Sequence, residues 1–142
     1  MANGGEADAF EARPVGVVRS VLTGVTAAPR QPDEGAPSAI IEIRPEFTDA
    51  LAGLSPGDRV VVMTWLHQAS REELTVHPRG DLTREAIGVF ATRSPGRPNP
   101  IGLHETVVVE VAGAQLHVAS LEAFDSTPVL DVKPCLGAVE TR

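Results

Sequence analysis

The segment Gly88–Leu103, GVFATRSPGRPNPIGL, sets the strongest limit on what this 142-residue chain can fold into. It crowds Pro95, Pro98 and Pro100, Gly88, Gly96 and Gly102, and Arg93 and Arg97 into one stretch. Each proline fixes its own φ, lacks an N–H and biases the residue before it toward extended backbone. Such a backbone suits sheet pairing poorly and suits the lining of a site better. A short apolar run precedes it (Gly88–Ala91), and a longer one follows (Val107, Val108, Val109, Val111). The stretch is therefore predicted as a stiffened loop between two strands, presenting two guanidinium groups and the Asn99 amide. Polar loops braced on a rigid scaffold are where binding and catalysis usually sit.

The rest of the chain reads as short β-rich runs separated by Gly/Pro turns. Val15–Leu22, Ser38–Arg44, Arg59–Leu66, Leu74–His77, Glu105–Val111, Gln115–Ala123 and Val129–Lys133 are the expected strands. Arg59–Leu66 (RVVVMTWL) is nearly all apolar, as in a strand buried on both faces or a barrel strand. Ala112-Gly113-Ala114 separates two runs at hairpin spacing. Pro45–Leu54 has Pro at its start and Gly53 near its end, which suits one or two helical turns. Thr23–Pro37 is a loop holding Pro29-Arg30-Gln31-Pro32. Many short strands and little helix predict an all-β, small antiparallel β-barrel with one or two short peripheral helices. Residues 1–13 read as a flexible tail, and residues 14–142 as a single domain.

Composition excludes several classes. With no Tyr, one Trp and four Phe, the core must be built from Val, Leu, Ile and Ala. The single cysteine, Cys135, rules out an internal disulfide and argues against a cysteine-based zinc site. No secretory signal and no run of roughly 18 apolar residues is present, so a cytoplasmic location away from membranes is expected. A net charge of −7 argues against a generally basic nucleic-acid binder. Five arginines nevertheless fall between positions 71 and 97 (Arg71, Arg79, Arg84, Arg93, Arg97), which suggests a local anion-binding patch. Dinucleotide and phosphate-loop glycine fingerprints are absent.

His67, His77, His104 and His117 lack close ligand spacing, so no metal is expected. His67 ends the Trp65-Leu66-His67 run and His77 abuts a Pro-Arg-Gly-Asp loop, so either could line a site. His117 alternates with Leu116 and Val118 and is expected to face solvent. Ser94 has no nucleophile-elbow context. Phe124–Pro134 (FDSTPVLDVKP) holds Asp125, Asp131, Ser126, Thr127 and Lys133 around Pro128 and Pro134, a second stiffened polar cluster.

Together these motifs resemble the TsaA-like (TrmO-like) family of S-adenosylmethionine-dependent tRNA methyltransferases. The matching pieces, in family order, are Gly16–Ser20, Pro29–Pro32, Trp65–His67, Gly88–Pro95, Arg97–Leu103 and Thr127–Pro134. The resemblance implies a compact barrel that binds S-adenosylmethionine in a non-Rossmann manner, usually as a homodimer. It further implies N6-methylation of N6-threonylcarbamoyladenosine next to the anticodon of threonine tRNA. On that footing Arg30, Gln31, His67, Arg93, Ser94, Arg97, Pro98, Asn99, Ile101, Gly102, Leu103 and Thr127 are expected cofactor contacts. Arg93 and Arg97 suit its carboxylate or a phosphate, because a guanidinium grips either bidentately. Arg19, Arg79, Arg93, Asn99 and Lys133 are expected to contact substrate. Asp125, Asp131 and His67 are the expected proton acceptors. Three departures stand out. The chain ends at Arg142 where many family members carry a further domain, Cys135 replaces a usual Tyr, and Ser126 replaces a usual Gly. The alternatives are a methyltransferase acting on a small molecule and a cofactor-binding module without catalysis.

Overall fold

Alternation of apolar and polar residues lets each strand bury one side only, and six such strands can hide those sides by closing on themselves. The computed structural model describes residues 8–23 and 35–136 and shows this closure. Its strands are β1 (Gly16–Arg19), β2 (Ala39–Ile43), β3 (Arg59–Trp65), β4 (Thr75–Val76), β5 (Ile87–Gly88), β6 (Ile101–Ala112), β7 (Gln115–Val118) and β8 (Pro128–Pro134). The barrel runs β1-β2-β7-β6-β3-β8, every neighbouring pair antiparallel, and β4 with β5 forms a separate two-stranded sheet. The expected all-β barrel is therefore the fold. The expected peripheral helices are short 3₁₀ segments, Pro45–Leu51, Pro78–Gly80 and Val89–Ala91. Among the described residues no helix is long and apolar enough to cross a membrane.

The core is aliphatic, as the shortage of aromatics required. Val18, Ile41, Val60, Val62, Val108, Leu116, Val118, Leu121 and Val129 fill the lumen. Leu51, Phe47 and Leu54, from the connection between β2 and β3, pack against this cluster. On β3, and on β6 as far as Val108, the even-numbered residues point inward and the odd-numbered ones outward; past the irregularity between Val108 and Glu110, Val111 packs on the core instead. Arg59–Leu66 is thus a barrel strand with one buried side rather than a strand buried on both.

Two boundaries that bear on the site differ from expectation. β6 begins at Ile101, so Ile101, Gly102 and Leu103 belong to a strand and the stiffened loop ends at Pro100. No proline interrupts residues 101–112, and Gly102 lets the strand start where a side chain would not fit. A Cβ at Gly102 would lie 2.5 Å from Thr64 Oγ1 and 2.7 Å from His104 Nε2. β7 ends at Val118, and residues 119–124 run on without a continuous ladder. The β6–β7 turn is the predicted hairpin, with Gly113 at φ +61°.

The topology decides where a site can form. β1, β3 and β7 run one way and β2, β6 and β8 the other, so connections 20–38, 66–100 and 119–127 all emerge at one end. Every motif not built into a strand sits in one of these three connections. Residues 24–34, which hold Arg30 and Gln31, lie outside the described residues, as do residues 1–7 of the expected tail.

The turn before β8 carries a strained residue. Ser126 sits at φ +74°, where a Cβ clashes with the backbone and glycine is favoured. Ser126→Gly is expected to raise unfolding free energy by up to about 1 kcal/mol in urea titrations, the relieved strain exceeding the entropy lost from the unfolded chain.

Candidate functional site

Arg97, half-buried, folds back on its own loop. Its Nη1 donates to the carbonyls of Thr92 (3.1 Å) and Ser94 (2.7 Å), and its Nη2 donates to Val89 (2.8 Å). Its backbone N–H donates to Ser70 O at 3.0 Å. Prolines leave this loop short of internal hydrogen bonds, and one guanidinium supplies what the backbone cannot. Thr92 Oγ1 accepts from the Ser94 N–H at 3.1 Å, which fixes Ser94 in the same turn.

Arg71 holds the other half. Its Nε donates to Pro98 O (2.8 Å), its Nη2 to Asn99 Oδ1 (2.9 Å), and its guanidinium lies 5.1 Å from the Trp65 ring centroid. Cation–π contact and two charge-assisted bonds thus join segment 66–71 to the proline-rich loop. Asn99 keeps its Nδ2 hydrogens for other acceptors. Pro100 is buried, and its carbonyl accepts from the Leu66 N–H at 2.8 Å. His67 follows directly in an exposed turn beside this junction.

Arg93 is exposed and differs from both. Its Nη2 donates to Leu103 O at 3.1 Å. Over Ile101–Val107, β6 pairs with β3 alone, so Arg93 occupies an edge that no strand fills. Outward from this edge, strand register assembles a facet on the barrel wall. Asp131 lies across from Met63 and Met63 across from Leu103; Trp65 lies across from Ile101. Lys133, Val61 and Glu105 form the next row, and Lys133 Nζ lies 3.4 Å from Asp131 Oδ2. Asp131 Oδ1 accepts from the Val132 N–H at 2.8 Å. Ile101, Leu103, Met63 and Trp65 give the facet an apolar floor, half-buried or exposed. A carboxylate stands at one side of that floor and a guanidinium at the other.

The remaining residues named from sequence are placed elsewhere. Asp125 is half-buried, with Oδ1 accepting from the Ser20 N–H (3.0 Å) and Oδ2 from Ser126 Oγ (3.3 Å). Thr127 is buried, and its Oγ1 donates to Phe124 O at 2.7 Å. Both clamp the end of β1, from which connection 20–38 departs, so Asp125 and Asp131 do not share one cluster. Arg19 stands on β1, paired with Glu42 at 3.0 Å. His117 is half-buried on the outer wall and bonds Gln115 Oε1 at 3.2 Å. Arg79 lies in the 3₁₀ segment Pro78–Gly80, next to a turn in which Asp81 accepts from Thr83 Oγ1 and from the Thr83 N–H. The Thr83 hydroxyl first, then its N–H, holds the Asp81 carboxyl below the ordinary range. His77 Nδ1 donates to Arg84 O at 2.8 Å in the same excursion. Among the described residues no group of three or more His, Cys, Asp or Glu is placed to hold a metal ion.

Sequence reasoning missed the role of Arg71, since nothing in its surroundings marks it as the partner of Asn99. It also left His104 without a role. Period 2 along β6 does place His104 on the inward side with Gly102, Thr106 and Val108, a signal that was available. Arg97→Met is expected to lower unfolding free energy by about 2–3 kcal/mol in urea titrations, because three buried or half-buried carbonyls lose a charged donor together. Amide exchange in residues 89–94 should rise with it.

Comparisons with known proteins agree with this fold. The model of the family described as tRNA-methyltransferase O N-terminal domain matches residues 17–141. An S-adenosyl-L-methionine-binding protein of Archaeoglobus fulgidus is 40% identical over 121 residues, covering 85% of this chain and 86% of its own length. A "Probable S-adenosyl-L-methionine-binding protein" of Methanothermobacter thermautotrophicus is 45% identical over 122 residues, covering 86% and 87%. The crystal structure of TrmO from Pseudomonas aeruginosa superposes with a TM-score of 0.70 at 29% identity, covering 94% of this chain and 59% of that one. A second TrmO crystal structure gives 0.72 at 30% identity, with 94% and 61% covered. The chain therefore spans about 60% of the length of the solved TrmO chains.

Proposed function

The chain belongs to the tRNA-methyltransferase O N-terminal-domain family, and from that membership we propose that it methylates N6 of N6-threonylcarbamoyladenosine next to the anticodon of threonine tRNA. Its cofactor is S-adenosyl-L-methionine and its chemistry is methyl transfer. The facet carrying Arg93, Leu103, Met63, Trp65 and Asp131 has the donor set such a group needs. Arg93 spends one nitrogen on Leu103 O, and the rest of its fork is left to grip an amino-acid carboxylate. The apolar floor of Ile101, Leu103 and Met63 offers a surface for the adenine, and the Asn99 amide offers donors to its edge. Arg97, turned inward on its loop, acts as a brace for that surface.

When bound, S-adenosyl-L-methionine supplies an electrophilic methyl group on a sulfonium. Displacement from sulfur is in line, so the protein's contribution is positioning and exclusion of water. A loop already braced by Arg71 and Arg97 holds its shape before any ligand arrives. The N6–H of a carbamoylated adenine is more acidic than that of a plain exocyclic amine, and it must pass to an acceptor as the new bond forms. Asp131 is the acceptor this geometry favours. It lies on the facet, its Oδ2 beside Lys133 on the exposed wall, whereas Asp125 lies off the facet and holds the β8 turn.

The observation that carries this reading is the convergence of the Arg93 loop and the Asp131 strand on one facet of a barrel of this family. A small-molecule acceptor is the second reading, favoured by a net charge of −7 on a surface that would have to approach polyanionic RNA. Pairing of two copies is part of the proposal. Val107 and Val109, on the outer side of β6 beyond the facet, leave apolar surface exposed in one chain.

Calorimetry with S-adenosyl-L-methionine is the first test. Arg93→Ala is expected to weaken binding by tenfold or more, as loss of a charge-assisted pair does, while leaving the urea midpoint unchanged. Asp131→Asn is expected to lower turnover by about a hundredfold with cofactor affinity kept. Incubation with total tRNA and nucleoside mass spectrometry should show the N6-methyl product. Turnover only with small-molecule extracts would move the assignment to the second reading, and binding without any S-adenosylhomocysteine release would make the chain a cofactor-binding module. Sedimentation showing a fully active monomer would remove the pairing.

A further inference from the structure

Three polar side chains lie buried in a row at the end of the barrel from which the long connections emerge. Thr64 on β3 is fully buried and His104 on β6 is 5% exposed. Glu122, from the connection between β7 and β8, has a side chain only 7% exposed. Thr64 Oγ1 lies 2.7 Å from His104 Nε2, and Glu122 Oε1 lies 2.6 Å from His104 Nδ1. Hydroxyl, imidazole and carboxylate in this order match a nucleophilic triad in chemistry, but not in access. The Gly102 backbone covers the hydroxyl so closely that a Cβ there would stand 2.5 Å from it. No reacting carbon can reach Thr64, so the row must act on the protein itself.

We propose that His104 is a positioning residue for the cofactor facet, locked by Glu122 and Thr64 so that Gly102 and Leu103 present their backbone to Arg93. The proposal rests on the reading of that facet as the S-adenosyl-L-methionine site. A carboxylate only accepts, so Glu122 keeps the proton on Nδ1. The other nitrogen of a neutral ring is then an acceptor, and the Thr64 hydroxyl donates to it. Both ring nitrogens are thereby fixed and the ring cannot flip. It stands against Gly102, where an added Cβ would meet Nε2 at 2.7 Å and Cε1 at 3.2 Å. The next residue, Leu103, offers the carbonyl that takes the Arg93 Nη2. Outward neighbours of two of these positions (Met63 and Trp65 beside Thr64, Leu103 beside His104) belong to the facet floor. A shift of the ring therefore moves the floor and the Arg93 anchor together.

A second observation supports a role beyond packing. Glu122 Oε2 is buried with no hydrogen-bond partner among the described residues. Burying a carboxylate with one oxygen unmet costs free energy that an apolar residue in this place would avoid. The bond to His104 is the interaction that burial preserves.

The test has two independent arms. In long-range nitrogen–proton spectra of the native chain, His104, assigned by its loss in His104→Gln, is expected to show a protonated Nδ1 and a bare Nε2. A proton on Nε2 instead would overturn the relay whether or not the cofactor binds. The second arm compares Thr64→Val, which keeps shape and loses the hydroxyl, with Thr64→Ser, which keeps the hydroxyl and loses a methyl. Calorimetry is expected to show S-adenosyl-L-methionine binding weakened about five- to tenfold by Thr64→Val, the worth of one buried hydrogen bond, and within about twofold of native for Thr64→Ser. Equal affinities, or the reverse order that simple packing predicts, would overturn the proposal. If neither variant folds, the spectrum of the native chain decides. If the native chain binds no cofactor, the functional reading fails, while the spectrum still judges the relay.

Discussion

Closure of the sheet is the constraint from which the rest of this molecule follows. Six strands with one apolar side each cannot hide those sides except by wrapping around a common core, and in an antiparallel ring alternate connections must share an end. Here that end receives connections 20–38, 66–100 and 119–127, while the opposite end has the β6–β7 turn and the segment carrying Leu51 and Phe47. Residues far apart in sequence, such as Arg93, Trp65 and Asp131, therefore meet on one facet without any dedicated element to gather them.

A proline-rich loop on such a scaffold faces a shortage of donors, and two arginines meet it in different ways. Arg97 turns inward and satisfies three carbonyls of its own loop, whereas Arg71 reaches across from segment 66–71 and stacks on Trp65. Arg93 contributes one bond to an unfilled strand edge and stays exposed. Three guanidinium groups of the same chemistry thus divide into two braces and one solvent-facing group. The division follows from which carbonyls lie within reach, not from residue type.

That division also explains what could be read in advance. Short strands, Gly/Pro punctuation and the Ala112-Gly113-Ala114 turn were enough for the barrel, because period 2 and turn chemistry are local signals. The loop was legible for the same reason, since proline acts on its own backbone. Its end was misplaced by three residues, because the fit of Gly102 between Thr64 and His104 is a contact across strands. Asp125 and Asp131 read as one polar cluster in sequence, yet one holds a turn and the other stands on the outer wall. His104 and Glu122 are separated by 18 positions, yet the expected hairpin, continued at the Val108–Val118 register, sets them opposite each other, a signal that was left unread.

The lumen of this barrel is filled by Val, Leu and Ile, so the facet lies on the convex exterior. An enclosed cavity would set an upper limit on what it admits, and an outer wall sets none. A macromolecule as large as a folded polynucleotide could rest there without any part of the protein opening. On the proposed reading of the facet, rejection of wrong acceptors comes from charge and contour around its rim, where Asp131, Lys133 and Glu105 stand, rather than from the dimensions of a chamber.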